Sequence, residues 1–235
     1  MARPRSAGFD DHRDRILAAA ARLFATRGYA ATTMNDVAAA SDLSKATLYH
    51  YVHDKHDLLA QVARGHVQRL EALVAEVLAR GLVPAARLAA LIECFMSAYA
   101  SAQHEHRVLT EDVKFLEAGP QAEVLDGQRR IVTAFAEAIA EEMVVQAGPT
   151  KAARPDLAAK PMAGALAMLL FGMMNWTFTW LKSAGPLSHA AVAAMVSELF
   201  FGGLPAVQAA LMQPAPRAAS TAAPKRRVAR SMRAS

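Results

Sequence analysis

The sequence predicts an all-α protein: an N-terminal three-helix unit built around a helix-turn-helix, followed by a larger helical domain. Three observations carry that expectation. Apolar residues recur at helical spacing almost throughout, and no segment alternates as a strand would. Alanine occurs in nearly every stretch while glycine and proline number only 12 and 11, which favours helices over a many-turned β architecture. Hydrophobic residues make up 54% of the 235 and charged residues 20%, enough for a substantial core and too apolar for a disordered chain.

The elements follow in order. Ile16, Leu17, Ala20, Leu23 and Phe24 line one helix face, with Asp10 and Asp11 as cap and favourable charge at its start and Gly28 as its stop. A short second helix starts at Thr33, with Asp36 as its capping-box partner, and buries Val37 and Ala38. The third starts at Ser44, where Leu43 and Leu48 occupy the positions of a hydrophobic staple. Only Ser41-Asp42-Leu43 separates the two, the tight link of a helix-turn-helix. A fourth helix begins at Asp54 and runs through Leu58, Val62, His66, Leu70, Leu73 and Val77 to Gly81, long enough to connect the two units. Helical spacing then continues over roughly 85–102, 106–117, 120–147, 156–183 and 188–203, with breaks expected at His104, Gly119-Pro120, Gly148-Pro149 and Gly185-Pro186. The expected division is 1–53 for the helix-turn-helix unit, 54–212 for the larger domain with 54–81 as connector, and 213–235 for a disordered basic tail.

Charge is unevenly spread. Residues 1–65 carry a net +2, residues 66–212 a net −3 and residues 213–235 a net +6, so a surface built to bind nucleic acid over its whole extent is excluded. The tail, with six basic residues and no acidic one, is suited to phosphate contacts that read no bases. The single cysteine, Cys94, excludes a disulfide framework and a cysteine-built zinc site, and in its apolar helix reads as a buried small hydrophobe. Residues 1–15 contain no apolar signal region, which points to a cytoplasmic protein. The uncharged run 161–181 has the length of a membrane span, but it contains Asn175, Thr177 and Thr179 and no second span was recognised. It reads as a helix buried on two sides, by its own bundle and by another subunit, and not as a membrane segment.

The third helix carries the clearest chemistry. Leu48, Tyr51 and Val52 fall on the inward side at about 100° per residue, leaving Ala46, Thr47, Tyr49 and His50 outward with Lys45 at the edge. A small residue, hydroxyls, an imidazole and a cation on one face can reach base edges and phosphates in a major groove. Thr33, Ser44 and Lys55 stand at helix starts, where a hydroxyl, backbone N–H groups or a charge suit phosphate.

Two runs, Arg15–Met34 (RILAAAARLFATRGYAATTM) and Val37–Lys55 (VAAASDLSKATLYHYVHDK), closely resemble the DNA-binding domain of TetR-family (TetR/AcrR) transcriptional regulators over about residues 12–62. The resemblance implies an all-helical homodimer, more often a repressor than an activator, that binds double-stranded operator DNA through Thr33, Ser44, Lys45, Ala46, Thr47, Tyr49, His50 and Lys55. It also implies a C-terminal domain that binds a small effector. Asp42 departs from the family, which usually has glycine in the turn; aspartate tolerates a left-handed conformation at some cost.

The middle domain is rich in bulky apolar residues, and a pocket among Phe95, Tyr99, Phe115, Phe135, Met173 and Trp176 is expected for an apolar effector. Leu170–Trp180, followed by Gly185-Pro-Leu-Ser, resembles the eighth helix of relatives that sense acyl-CoA thioesters, and there Arg129 or Arg130 would meet CoA phosphates. A multidrug or aromatic-compound sensor is the alternative effector class, and an architectural DNA-binding protein the alternative function. Dimerisation is expected through residues 162–203, with half-sites about one helical turn or a multiple apart. His50, His53 and His56 straddle a helix end and do not suggest a metal; His104 and His106 read as a solvated loop. No phosphate-binding glycine loop, nucleophile elbow or zinc-protease motif is present, so neither catalysis nor a cofactor is expected.

Overall fold

The structure, a computed structural model, describes residues 7–148, 159–182 and 185–212. Among these residues every regular element is helical: α1 (Ala7–Arg27), α2 (Met34–Ala40), α3 (Lys45–Leu48), α4 (Lys55–Ala79), α5 (Pro84–Ser101), α6 (Gln103–Glu111), α7 (Ala118–Ala147), α8 (Ala159–Asn175) and α9 (His189–Met212). Short 3₁₀ turns at Val113–Phe115 and Trp176–Thr179 follow α6 and α8. The tail at 213–235 lies outside the described residues.

Local chemistry sets the N-terminal boundaries. Gly28 takes φ +88°, a left-handed conformation that ends α1. Thr33 and Asp36 close a reciprocal capping box at the start of α2, and the Asp54 carboxylate accepts the Asp57 N–H at 2.8 Å at the start of α4. The expected starts at Thr33, Ser44 and Asp54 are all present; α1, however, begins at Ala7, ahead of the Asp10-Asp11 pair. Ile16, Ala20, Phe24, Val37, Leu48 and Val52 form the buried centre of this unit.

The larger bundle differs more from expectation. The chain breaks at Ala102, not His104, and α6 runs straight through both histidines. Gly119 and Pro120 lie inside the first turn of α7, where a missing N–H costs no helical hydrogen bond. α8 changes to 3₁₀ geometry at Trp176, and α9 continues past Pro205 to Met212.

Helix α4 is the axis of the molecule. It packs on α1 and α6 near its start and on α5 and α7 further along, while α8 lies on α7 and α9 on α5. Where α4 crosses α7, Gly127 allows the approach: a Cβ there would run into Val67 Cγ1. Phe95, Phe135 and Phe171 meet at ring separations of 4.7–6.1 Å and seal the centre of the larger bundle. Lys160–Thr179 and His189–Ala210 are each long and apolar enough to cross a membrane by length and composition, so the second helix of that kind, not expected from the sequence, is α9. Both helices present apolar side chains outward, among them Met168, Leu169, Met195 and Leu199.

Candidate functional site

The helix-turn-helix is built from the inside out. Leu48 and Val52 are buried against α1 and α2, which orients the other side of α3 toward solvent. The turn is held by Leu43 N–H donating to Ala38 at 3.0 Å, and Asp42 takes φ +56°, the left-handed conformation expected there. Arg15 donates to the Ser41 carbonyl at 3.1 Å and approaches the Asp42 carboxylate at 3.7 Å, tying the turn to α1. A non-glycine residue in this conformation costs about 1 kcal/mol, which an exposed ion pair only partly offsets.

The helix ends at Leu48, short of the Tyr51 and Val52 that the sequence placed on it; Lys45 and Ala46 are exposed on its outer face, Tyr49 (44%) and His50 are exposed in the turn that follows, and Thr47 is half-buried beside them. Ser44 caps the helix: its Oγ accepts the Thr47 N–H at 3.1 Å and lies 2.8 Å from the Thr47 hydroxyl. The Thr33 hydroxyl is likewise committed, donating to the Asp36 carboxylate at 2.6 Å. Lys55 corrects its expected role. Its Nζ donates to the carbonyls of Tyr29, Ala30 and Thr32 at 3.1, 3.4 and 3.1 Å and lies 4.5 Å from the Tyr29 ring centroid. The ammonium is directed at the α1–α2 loop, so Lys55 clamps that loop instead of standing free at the helix start.

Tyr29 joins this unit to the rest. Its hydroxyl lies 3.2 Å from His56 Nδ1, and its ring stacks on Phe115 at 5.2 Å. Burial, then the nearby Asp54 and Asp112 carboxylates, push the Tyr29 hydroxyl pKa upward. Phe115 therefore belongs to the junction between the two units, not to an effector pocket.

The larger bundle encloses a cavity of about 190 Å³ where α4, α5, α6, α7 and α8 meet. Phe95 and Tyr99 line it as expected, with Leu70, Leu109, Ile131 and Phe171. Phe135 is wholly buried behind it in the aromatic cluster, and Met173 packs half-buried on the core. Trp176 is 60% exposed and points away. Residue bulk marked these side chains as apolar but not which surface each would serve. Arg129 and Arg130 are paired with Asp126 and Glu71, so neither is an uncommitted phosphate ligand.

His66 and His106 carry a feature the sequence does not show. His66 had fallen within the apolar stripe of α4, which was the available signal, and His106 was expected in a solvated loop. His106 is instead 2% exposed and His66 1% exposed. Their rings meet edge-on at 5.6 Å, and His106 stacks on Tyr99 at 3.6 Å. Among the described residues neither ring nitrogen of His66 has a hydrogen-bond partner, and His106 has at most the Asn175 backbone carbonyl, leaving its other nitrogen unpaired. Leaving such a group unsatisfied costs about 1–3 kcal/mol. Burial, then His106 and Arg69, pull the His66 pKa down to about 3; burial pulls that of His106 down to about 4, against an opposing influence of the Asn175 carbonyl. Both are neutral at pH 7. Tyr99 donates to Asn175 Oδ1 at 2.8 Å, and burial raises its pKa. A second, open cavity of about 660 Å³ runs between α4 and α5, with His66 and Leu70 in its floor and Cys94 half-buried in its wall, not in the core.

A helix-turn-helix with an outward polar face, joined by one long helix to a bundle with an apolar cavity at its centre and an open groove beside it, has the architecture of a DNA-binding regulator with a separate sensing domain. Residues 16–62 match the model for bacterial regulatory proteins of the tetR family, and residues 81–204 match that for the tetracyclin repressor-like C-terminal domain. The chain belongs to the TetR family of transcriptional regulators. It is 26% identical over 196 residues to the transcriptional repressor KstR2 of Mycolicibacterium smegmatis, covering 82% of this chain and 90% of that one. Its fold matches a TetR-family regulator from Bordetella parapertussis with a TM-score of 0.69 at 31% identity, covering 80% and 93% of the two chains. It also matches AibR in complex with isovaleryl coenzyme A and operator DNA, with a TM-score of 0.67 at 25% identity, covering 80% and 97%.

Proposed function

We propose that this protein is a homodimeric repressor that reads operator DNA through the outer face of α3 and is released by an apolar effector of the acyl-CoA class. The observation that carries the reading is the contrast on the helix-turn-helix surface. Ser44, Thr33 and Lys55 are spent on the fold, whereas Lys45, Ala46, Tyr49 and His50 are exposed on one face. Ser44, Thr33 and Thr47 keep a place at the rim, where their caps fix the helix starts that flank the reading face.

The effector reading is supported by the cavity at Phe95 and Tyr99 and by the bound coenzyme A thioester of the related AibR. Helix α4 supplies the route between the sites. It holds His66 beside the cavity and Lys55 against the α1–α2 loop, and a helix of 25 residues spans about 37 Å as a rigid strut. The Tyr29–Phe115 stack adds a second contact across the junction. A ligand that favours one α4 position then disfavours the α3 spacing that fits DNA. The outward apolar residues of α8 and α9 support a two-fold dimer through 162–203. Sedimentation at micromolar concentration should therefore give the dimer, and a stable monomer would contradict it.

The reading face is tested with an operator selected from random duplexes. Tyr49→Ala and Lys45→Ala should each lose roughly 1–3 kcal/mol of specific affinity with the fold intact. Undiminished binding by the double variant would show that α3 is not the reader.

A further inference from the structure

We propose that His66 and His106 are the polar contact of the effector site, donating N–H hydrogen bonds to a carbonyl oxygen of the ligand at the wall between the inner cavity and the α4–α5 groove. The proposal rests on the effector reading above and deepens it by naming the chemical group recognised.

Three independent features of the structure converge. The first is position. His106 lines the inner cavity, His66 lines the groove, their rings touch edge-on, and Leu70 is common to both walls. The two imidazoles and Leu70 thus form the wall where the two spaces adjoin. The second is unmet hydrogen bonding. Both nitrogens of His66 lack a partner, and even if the Asn175 carbonyl is granted one nitrogen of His106, the other is left over. Buried polar groups are almost always paired, so two adjacent exceptions at a cavity wall mark where a ligand supplies the partner. The third is the surrounding chemistry. Of the other polar groups lining the inner cavity, Tyr99 is engaged with Asn175 and Thr110 with the His106 carbonyl, which leaves Gln128 on α7 as the other polar side chain a ligand could meet.

The class of ligand group follows from the donors. Each neutral imidazole offers one N–H and one bare nitrogen. A carbonyl oxygen has two lone pairs and no proton, so it can accept an N–H from each ring while remaining uncharged in an apolar place. A free carboxylate would bring a charge into a site with no buried cation to meet it. The group is therefore a thioester, ester or ketone carbonyl, with its apolar part among Phe95, Ile131 and Phe171 and the remainder of the ligand in the groove. Arg69 and Arg80 in that groove are balanced by Glu76 and Glu93, so charge alone does not select the ligand.

The test titrates the full-length protein, labelled with ¹⁵N at histidine, with octanoyl-CoA, its thioether analogue S-octyl-CoA, and 2-nonanone. Binding is followed by calorimetry and by the imidazole nitrogen resonances, assigned with His66→Phe and His106→Phe. The expected result is that octanoyl-CoA shifts two imidazoles and binds roughly tenfold or more tightly than the thioether, because a site that hydrogen-bonds a group rejects the analogue lacking it. Either substitution should reduce that preference to near unity. The wild-type titration stands alone if a variant fails to fold. Equal binding of thioester and thioether with no imidazole response overturns the histidine contact and leaves the effector reading in place. A response to 2-nonanone with no binding of either CoA compound supports the contact and overturns the CoA assignment. No response to any of the three overturns the contact.

Discussion

Lys55 and His66 lie on the same helix, about three turns apart, and treat their polar atoms in opposite ways. Lys55 directs its ammonium at three backbone carbonyls and an aromatic ring. His66 is buried against His106 and has no hydrogen-bond partner among the described residues. The first arrangement is that of a structural clamp, complete without a partner. The second carries an unmet requirement inside a packed domain, which is the mark of a place adapted to something other than stability. The N-terminal end of α4 is thus fixed to the helix-turn-helix unit, whereas its middle carries polar atoms left without a partner among the described residues.

The largest expected effect comes from acid. An imidazole in the unfolded chain takes up its proton near pH 6.5, whereas His66 and His106 in the fold resist protonation until about 3 and about 4. Between those values the unfolded chain binds more protons, so stability is complete above pH 6.5 and falls as the pH drops through that window. At pH 5 the loss should be about 2 kcal/mol per histidine, read as a fall in urea midpoint, with His66→Phe flattening the curve by about half. An unchanged midpoint between pH 7 and pH 5 would mean that the pair is not desolvated.

Next comes the clamp. Lys55→Met keeps the apolar stem, one atom shorter, but removes the ammonium from the three carbonyls, and should lower stability by about 2 kcal/mol. The salt dependence of operator binding separates the clamp from a phosphate contact. Its slope should stay as in the wild type, whereas a lost phosphate contact would reduce it by about 0.9. The smallest effect is at the α4–α7 crossing. Gly127→Ala forces Val67 aside at a cost of roughly 1–3 kcal/mol, against which about 1 kcal/mol of helix propensity is recovered. A net loss of about 1 kcal/mol in a thermal melt is expected, and a gain would show that α4 can shift freely past α7.

The N-terminal unit was legible because its determinants are local. Thr33 with Asp36, Ser44 with Thr47, and Asp54 with Asp57 each cap a helix within three residues, and Gly28 stops α1 on its own. The left-handed turn at Asp42 was legible for the same reason. The effector domain was not, because burial there is decided by helices distant in sequence. Phe115 and Trp176 are as bulky as Phe95, yet one stacks on Tyr29 across the junction and the other lies on the outer surface. His104 and His106 share a polar run, and only the stack on Tyr99 distinguishes the buried one. Lys55 looked like a phosphate ligand because the loop carbonyls that capture it lie more than twenty residues away.

The account stands on linkage between the α3 face and the cavity beside His106. Linkage is reciprocal, so it is measured most directly by closing the cycle: operator affinity with and without saturating octanoyl-CoA, and octanoyl-CoA affinity with and without operator. The account predicts that each ligand weakens the other by the same factor, roughly 5–150-fold. Octanoyl-CoA that binds the free and operator-bound protein equally tightly would contradict it.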